Sequence, residues 1–145
     1  MRLTPCTALA TCVVLFGVVM FGAVRADAAD PCSMLTAGQA AAALGVPQAK
    51  ASSGANRCIW TPTKYKQGAG ESVTIILMDE KGFAAQRARP DVKPVAGIGD
   101  AAVQSTRVPV LTAKKGNVYF SVSVHGLPID QTIAVEQSLA KQVIP

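Results

Sequence analysis

The stretch VYFSVSVH, residues 118–125, alternates apolar with polar side chains along its whole length. A β-strand turns successive side chains to opposite faces, so this stretch predicts a strand with one apolar and one polar face. The apolar face carries Val118, Phe120, Val122 and Val124, and the polar face carries Tyr119, Ser121, Ser123 and His125. Such alternation is typical of an antiparallel sheet with one packed side, and we expect the polar set to face water or a ligand.

Other stretches predict further strands of the same sheet. Four of them have strand patterns, namely NRCIWTPT (56–63), SVTIILMD (72–79), AAVQST (101–106) and VPVLTAK (108–114). The stretch at 72–79 is rich in β-branched residues and poor in charge, which predicts a central strand. KKGN (114–117) predicts a tight turn into the strand at 118–125. In contrast, SSGAN (52–56) predicts a turn and DVKPVAGIGD (91–100) predicts a turn-rich connection.

Three stretches have helix patterns, namely TAGQAAAALGVP (36–47), EKGFAAQRARP (80–90) and PIDQTIAVEQSLAKQVI (128–144). In the first, Thr36 can form a capping box with Gln39, and Gly45 can close the helix. The last has an apolar stripe that consists of Val135, Leu139 and Val143. The order helix, strands, helix, hairpin strands, helix predicts an α+β fold in which an antiparallel β-sheet carries packed helices.

The first 28 residues have the pattern of a secretory signal peptide. Arg2 precedes an apolar run at 8–24, and Ala26 and Ala28 supply the A-x-A spacing of a cleavage site. We expect cleavage after Ala28, which leaves a single exported domain at 29–145 that is periplasmic or secreted. The alternative is a retained membrane anchor, because the apolar run reaches the lower limit for a spanning helix. After cleavage we expect no stable membrane span.

Two of the four cysteines lie within the signal segment, and Cys32 and Cys58 remain after cleavage. Two cysteines in an exported domain most simply form a disulfide. Closing a loop of this size would stabilise the domain by roughly 3.5 kcal/mol. The alternatives are a lipid anchor at Cys32, which the preceding Pro31 does not suit, a thiol nucleophile activated by His125, and a metal site. A metal site would need more nitrogen or sulfur ligands than Cys32, Cys58 and His125 supply, unless carboxylates join them.

Charge and short motifs argue against several classes of partner. The chain carries 14 Lys and Arg against 9 Asp and Glu, a net charge of +5, but the basic residues are scattered and form no nucleic-acid-binding arm. GIGDAA, residues 97–102, matches the G-x-G-x-x-A dinucleotide pattern, yet no apolar strand precedes it and no good helix begins at it. It therefore predicts a glycine turn before a strand. We expect no nucleic acid and no cofactor.

Few residues are candidates for catalysis. His125 is the only histidine and has no Asp or Glu beside it in sequence, so a surface histidine is the simpler interpretation. Asp79 and Glu80 predict the end of a strand and the cap of a helix, and Asp100 predicts a turn. We therefore expect neither a catalytic residue nor a metal ligand, and only the polar strand face at 119–125 is a candidate binding site.

The short motifs of the chain also suggest a family. DPCSMLTAGQAAAALG (30–45), CIW (58–60), SVTIILMD (72–79) and PVAGIGDAA (94–102) together resemble an uncharacterised family of exported bacterial envelope proteins, which includes actinobacterial lipoproteins. The resemblance implies a PsbP-like α/β sandwich and a bridge between Cys32 and Cys58. This chain lacks the lipobox of many of those proteins, so membrane anchoring is not carried over.

These observations predict a non-enzymatic domain of the periplasm or cell envelope that binds a partner protein or a small ligand across its sheet. Two alternatives remain open. One is a small hydrolase or thiol enzyme that uses His125, and the other is a structural or inhibitor module of the envelope. A deep pocket on the face of Tyr119, Ser121, Ser123 and His125 would favour a small ligand, whereas a flat face would favour a protein.

Overall fold

The computed structural model describes residues 30–64 and 70–144, so the expected signal peptide at 1–28 lies outside the described residues. A short 3₁₀ turn at Pro31–Ser33 comes first. The helices are α1 (Ala37–Leu44), α2 (Glu80–Arg87) and α3 (Ile129–Val143). The strands are β1 (Ala49–Ser53), β2 (Arg57–Pro62), β3 (Ser72–Met78), β4 (Val92–Val95), β5 (Ala101–Ser105), β6 (Val110–Lys115) and β7 (Val118–His125).

The strands form one antiparallel sheet in the order β1-β2-β3-β7-β6-β5-β4. The last strand of the chain thus lies in the middle, between β3 and β6. It pairs with β3 along its length, from Ser72 opposite His125 to Met78 opposite Tyr119. The α+β fold and the antiparallel sheet with packed helices that the sequence predicts are confirmed, and so is the strand at 118–125.

The apolar side of the sheet packs against α1 and α3. Phe120 and Val122 of β7, Ile75 of β3 and Trp60 of β2 are almost completely buried in one core with Leu139 of α3. Burying such a side chain contributes roughly 1.5–3 kcal/mol. The predicted apolar stripe of α3 faces this core, because Leu139 belongs to it and its stripe neighbours pack against it.

Local capping signals place the ends of two helices. Thr36 and Gln39 form the predicted capping box at the start of α1, and Gly45 ends that helix with φ 66°. A left-handed residue at this position satisfies the last carbonyl groups, and glycine adopts it without a steric penalty. Asp79 caps α2 by accepting a hydrogen bond from the Gly82 amide at 2.7 Å. Both helices therefore begin where the sequence predicts.

Two edge strands form where the sequence predicts other structure. The turn predicted at 52–56 begins only at Gly54, because β1 extends to Ser53. The connection predicted at 91–100 contains β4 at Val92–Val95. The turn predictions were therefore wrong for residues 52–53 and 92–95. Pairing of β1 with β2 and of β4 with β5 imposes strand geometry on these segments, although neither has a strand pattern. Proline is tolerated in β4 because an edge strand leaves one side unpaired.

The predicted disulfide joins Cys32 and Cys58, with a Cα–Cα distance of 5.0 Å. It ties the 3₁₀ turn that precedes α1 to β2 on the packed side of the sheet. Cys58 is completely buried in the core next to Trp60. Neither sulfur is a free thiol in this structure, and the bond anchors the entrance of the first helix.

The GIGDAA motif forms the turn before β5. Gly97 and Gly99 have φ of 75° and 56°, and a Cβ at Gly99 would collide with the carbonyl oxygen of Lys114. The carboxylate of Asp100 accepts a hydrogen bond from the Gly116 amide at 2.7 Å, which links this turn to the β6–β7 hairpin. The predicted glycine turn is confirmed, because no strand–turn–helix unit forms at this motif.

Candidate functional site

On one side of the sheet, β1, β2 and parts of β3 and β7 are not covered by any helix within residues 30–64 and 70–144. The helix on this side, α2, packs at one end, where the ring of Phe83 lies 5.7 Å from the ring of Tyr119. We call the remaining part the open face. It consists of Lys50, Ser52, Arg57, Ile59, Thr61, Ser72, Thr74, Ile76, Ser123 and His125.

The candidate residues of β7 are distributed along this side in different environments. Tyr119 is half-buried between Phe83 and the Lys114 ammonium, whose nitrogen lies 5.5 Å from the centre of the Tyr119 ring. Ser121 is 7% exposed. Ser123 is half-buried and His125 is exposed. The four side chains share one side of the sheet, as predicted, but only the last two belong to the open face.

Cross-strand pairs give the open face its chemistry. Ser72 lies opposite His125, and Thr74 lies between Ser123 on one side and Ile59 on the other. Hydroxyl groups in such rows can donate or accept hydrogen bonds, and the isoleucines supply apolar area. The arrangement is therefore suited to contact with another surface.

The charged strand residues of the open face are both basic, whereas Asp79 lies at its corner. Lys50 and Arg57 are exposed on β1 and β2, and the strand residues that form this face include neither Asp nor Glu. A positive surface of this kind favours an acidic partner and increases the rate of encounter with it.

A shallow hollow of about 540 Å³ lies at one corner of the open face. It is lined by Asn56, Ile76, Leu77, Met78 and Asp79, close to the start of α2. The Asn56 amide nitrogen donates a hydrogen bond to the Leu77 carbonyl oxygen at 3.1 Å, which holds the β2 end of this corner against β3. The hollow can receive a side chain of a bound molecule.

A buried carboxyl group lies on the opposite, packed side of the sheet. Glu136 of α3 is completely buried. One of its oxygens accepts a hydrogen bond from the Val124 amide at 3.1 Å, and the other accepts one from the Gln104 amide nitrogen at 2.7 Å. The pairing of β6 with β7 ends at Leu111 opposite Val122. The Val124 amide lies two residues beyond this end, and the Glu136 carboxyl group accepts its hydrogen bond.

Burial raises the pKa of Glu136 from 4.5 to about 7, while the hydrogen bonds from Gln104 and Val124 act to lower it. Desolvation disfavours the charged form, and here it outweighs the two donors. The Oε1 atom of Gln104 is buried and has no hydrogen-bond partner among the described residues. Glu136 is therefore an ionisable link inside the core. It is enclosed by the fold and lies on the side of the sheet opposite the open face.

Glu136 is the notable residue that sequence reasoning missed. The position of Glu136 in the sequence could have predicted its burial. It follows Val135 and precedes Leu139 by three residues, so it lies beside the apolar stripe of α3. An acid within such a stripe faces the core and needs a polar partner. Its partners could not be named, because Gln104 is 32 positions away in the chain.

A second carboxyl group with an altered pKa lies at the β4–β5 edge of the sheet. Asp91 accepts hydrogen bonds from the Arg89 guanidinium at 2.9 Å and from the Ser105 hydroxyl at 2.8 Å. These bonds, chiefly the one from Arg89, lower the pKa of Asp91. The Asp91 carboxylate thus links the start of β4 to the end of β5, and together with Arg89 it forms a surface ion pair.

Within residues 30–64 and 70–144, no three His, Cys, Asp or Glu side chains are grouped in a way that could hold a metal ion. None of the helices in this part of the chain is long and apolar enough to cross a membrane. Comparisons with models of protein families, with curated proteins and with solved structures found no match.

Proposed function

We propose that this chain is a non-enzymatic, exported domain of the cell envelope or periplasm, and that it binds a partner protein across the open face of its sheet. The observation that carries the proposal is the open face itself, where hydroxyl and isoleucine side chains lie beside Lys50 and Arg57 with no carboxylate among the strand residues. This surface extends over four strands and the hollow at its corner is shallow, which suits a protein better than a small molecule, because a small molecule is normally enclosed in a pocket.

Several features support this proposal over catalysis. Cys32 and Cys58 are joined in a disulfide, so the thiol-nucleophile alternative has no thiolate. His125 is exposed at the end of β7, and no described residue hydrogen-bonds to its ring to orient it as a base. The signal pattern at 1–28 and the resemblance to envelope proteins support export.

The charge of the open face defines the kind of partner. We expect an acidic protein surface that offers carboxylates to Lys50 and Arg57 and hydrogen-bonding groups to Thr74 and Ser123. Exposed ion pairs of this kind contribute roughly 0.2–1 kcal/mol each, so they select and steer the partner more than they hold it. We therefore expect Ile59 and its neighbours to form the buried apolar centre of the interface.

Site-specific photo-crosslinking in cells that make the protein tests this proposal. A photoreactive amino acid at Thr74 should yield one discrete protein adduct. The matched control position is Lys141, which is exposed on α3 on the other side of the sheet. The same label at Lys141 should yield no such adduct.

A charge-reversal variant tests whether the positive charge of the open face contributes to partner binding. Arg57→Glu should weaken the Thr74 adduct severalfold, whereas Lys141→Glu, the same charge reversal on α3, should leave it unchanged. The proposal is wrong if Thr74 gives no protein adduct, or if both positions give the same adducts.

A further inference from the structure

The two edges of the sheet differ in how they resist pairing with another strand. At one edge, β4 carries Pro94 beside Lys93, and proline cannot donate a backbone hydrogen bond. At the other edge, β1 contains no proline. Its one charged residue, Lys50, lies on the open face, and the other side chains of the strand are small. An unblocked edge strand is a template for an added strand. The β1 edge is therefore the one that can accept a partner strand.

Hydrogen bonds at both ends of the β1–β2 pair establish which backbone groups point outward. The Gly54 amide donates to the Arg57 carbonyl oxygen at 2.8 Å, and the Thr63 amide donates to the Gln48 carbonyl oxygen at 3.1 Å. In an antiparallel ladder, hydrogen-bonded pairs alternate with non-hydrogen-bonded pairs. The even-numbered residues of β1 therefore bond to β2.

The odd-numbered residues, Ala49, Ala51 and Ser53, consequently direct their amide and carbonyl groups away from β2. No described residue outside β2 hydrogen-bonds to the backbone of these three positions. They form a row of open donors and acceptors that spans the strand. An extended backbone is the ligand that matches such a row.

A hollow lies next to this row on the packed side of the sheet. It has a volume of about 300 Å³, and its lining includes Gly38 and Ala41 of α1 together with Ala49. Residues opposite each other on neighbouring strands point to the same side. A residue paired with Ala49 would therefore direct its side chain over this hollow, where the small side chains of α1 leave room.

We propose that β1 binds an extended segment of the partner protein, which adds to the sheet as an eighth strand. This inference rests on the proposed protein-binding function, and it names the mode of contact. The segment carries an apolar side chain opposite Ala49, to fill the hollow beside α1. It carries an acidic side chain at the neighbouring position, where it meets Lys50 at the border of the open face.

Selection of peptides tests the inference without knowledge of the partner. The probe is a phage-displayed library of random octapeptides that is selected on the folded, disulfide-bonded protein, and the selected peptides are then tested against a Gly38→Leu variant. Leucine at Gly38 projects into the hollow, and its Cβ meets no atom closer than the Thr36 hydroxyl oxygen at 3.9 Å. Because leucine is also a better helix former than glycine, this variant should fold.

The selected peptides should place an apolar residue next to an acidic one. As synthetic peptides, they should bind Gly38→Leu at least tenfold more weakly than the natural sequence. Ala42→Leu is the matched control, because it adds the same side chain to an exposed position of α1 that lines the groove toward α3 instead. This control should leave the affinity unchanged.

Two further measurements test the backbone contact directly. Ala51→Pro removes one outward N–H without removing a bond to β2, and it should also weaken peptide binding at least tenfold. Amide hydrogen exchange at Ala51 should be fast in the free protein and at least tenfold slower with the peptide bound, whereas exchange at Ser52, which already bonds to β2, should change little.

The inference is overturned if no peptide is selected, if Gly38→Leu and Ala51→Pro bind the peptides as well as the natural sequence does, or if the peptide slows exchange only at other strands. It is also overturned if the free protein is a dimer in which the Ala51 amide is already protected, because a second copy would then occupy the edge. The proposed function is decided separately, since photo-crosslinking at Thr74 reports a protein on the open face whether or not that protein adds a strand at β1.

Discussion

Replacing Glu136 by glutamine should remove a pH dependence of stability that this residue gives the protein. The folded-state pKa of Glu136 is about 7 against an ordinary value of 4.5, because its carboxyl group is buried. The folded protein therefore binds this proton more tightly than the unfolded chain does. The stability that results is fully present below pH 4.5, and it is lost as the pH rises through 7.

The magnitude of this pH dependence follows from the difference between the folded and the ordinary pKa of Glu136. One pKa unit corresponds to 1.36 kcal/mol, so a rise from 4.5 to about 7 amounts to about 3 kcal/mol of unfolding free energy. Glutamine is neutral at every pH and has nearly the shape of the protonated acid. Like that acid, it can accept from the Val124 amide and donate to Gln104 once the Gln104 amide is turned, so both proteins should be similarly stable near pH 4.5.

Above pH 8, Glu136→Gln should be about 3 kcal/mol more stable than the natural protein. Urea unfolding at several pH values between 4.5 and 8.5 measures this difference, with the fluorescence of Trp60, the only tryptophan, as the probe. Glu80→Gln is the matched control, because Glu80 is exposed at the start of α2. Its unfolding curves should follow those of the natural protein within about 0.5 kcal/mol.

Two results would contradict this pH dependence. One is a difference between Glu136→Gln and the natural protein that stays constant across this pH range, which would mean that burial does not alter the proton affinity of Glu136. The other is a natural protein that gains stability over the variant as the pH rises. That result would mean that the donors Gln104 and Val124 outweigh desolvation and that the ionised carboxylate is the favoured form.

Three further predictions concern the fold. The double variant Cys32→Ala/Cys58→Ala should lose roughly 3.5 kcal/mol of unfolding free energy, because the bond closes a loop between residues 26 positions apart; a loss below 1 kcal/mol in urea unfolding would contradict this. Thr36→Ala should cost about 1 kcal/mol, since it removes the cap of α1, and circular dichroism melting should show it. Gly99→Ala should cost about 1–3 kcal/mol, because its φ is 56° and its Cβ would meet a carbonyl group; calorimetry that shows no loss would count against it.

Much of the fold could be predicted from the sequence where one segment carries its own signal. The alternation at 118–125 predicted β7 and its two faces, and the capping box at Thr36 predicted the start of α1. The two cysteines predicted the disulfide because they are the only pair outside the expected signal peptide at 1–28. β1 was missed because its side chains are mostly exposed and have no alternating pattern, so its conformation depends on pairing with β2.

The candidate site could be predicted only in part. The sequence placed Tyr119, Ser121, Ser123 and His125 on one side of a strand, and the structure agrees. It could not predict that α2 would pack over Tyr119 and leave only Ser123 and His125 on the open face. The separation of Tyr119 from the open face depends on its contact with Phe83, which lies 36 residues away in the sequence.

Local patterns of the chain specify the alternating strand at 118–125, the capped helices and the glycine turns, because propensity, capping and side-chain period act within a few residues. Long-range packing instead specifies which part of the sheet stays open, that β1 forms an unblocked edge, and that Glu136 is buried against Gln104 and Val124. Burial and strand pairing join residues that are distant in the chain, so no short segment carries that information.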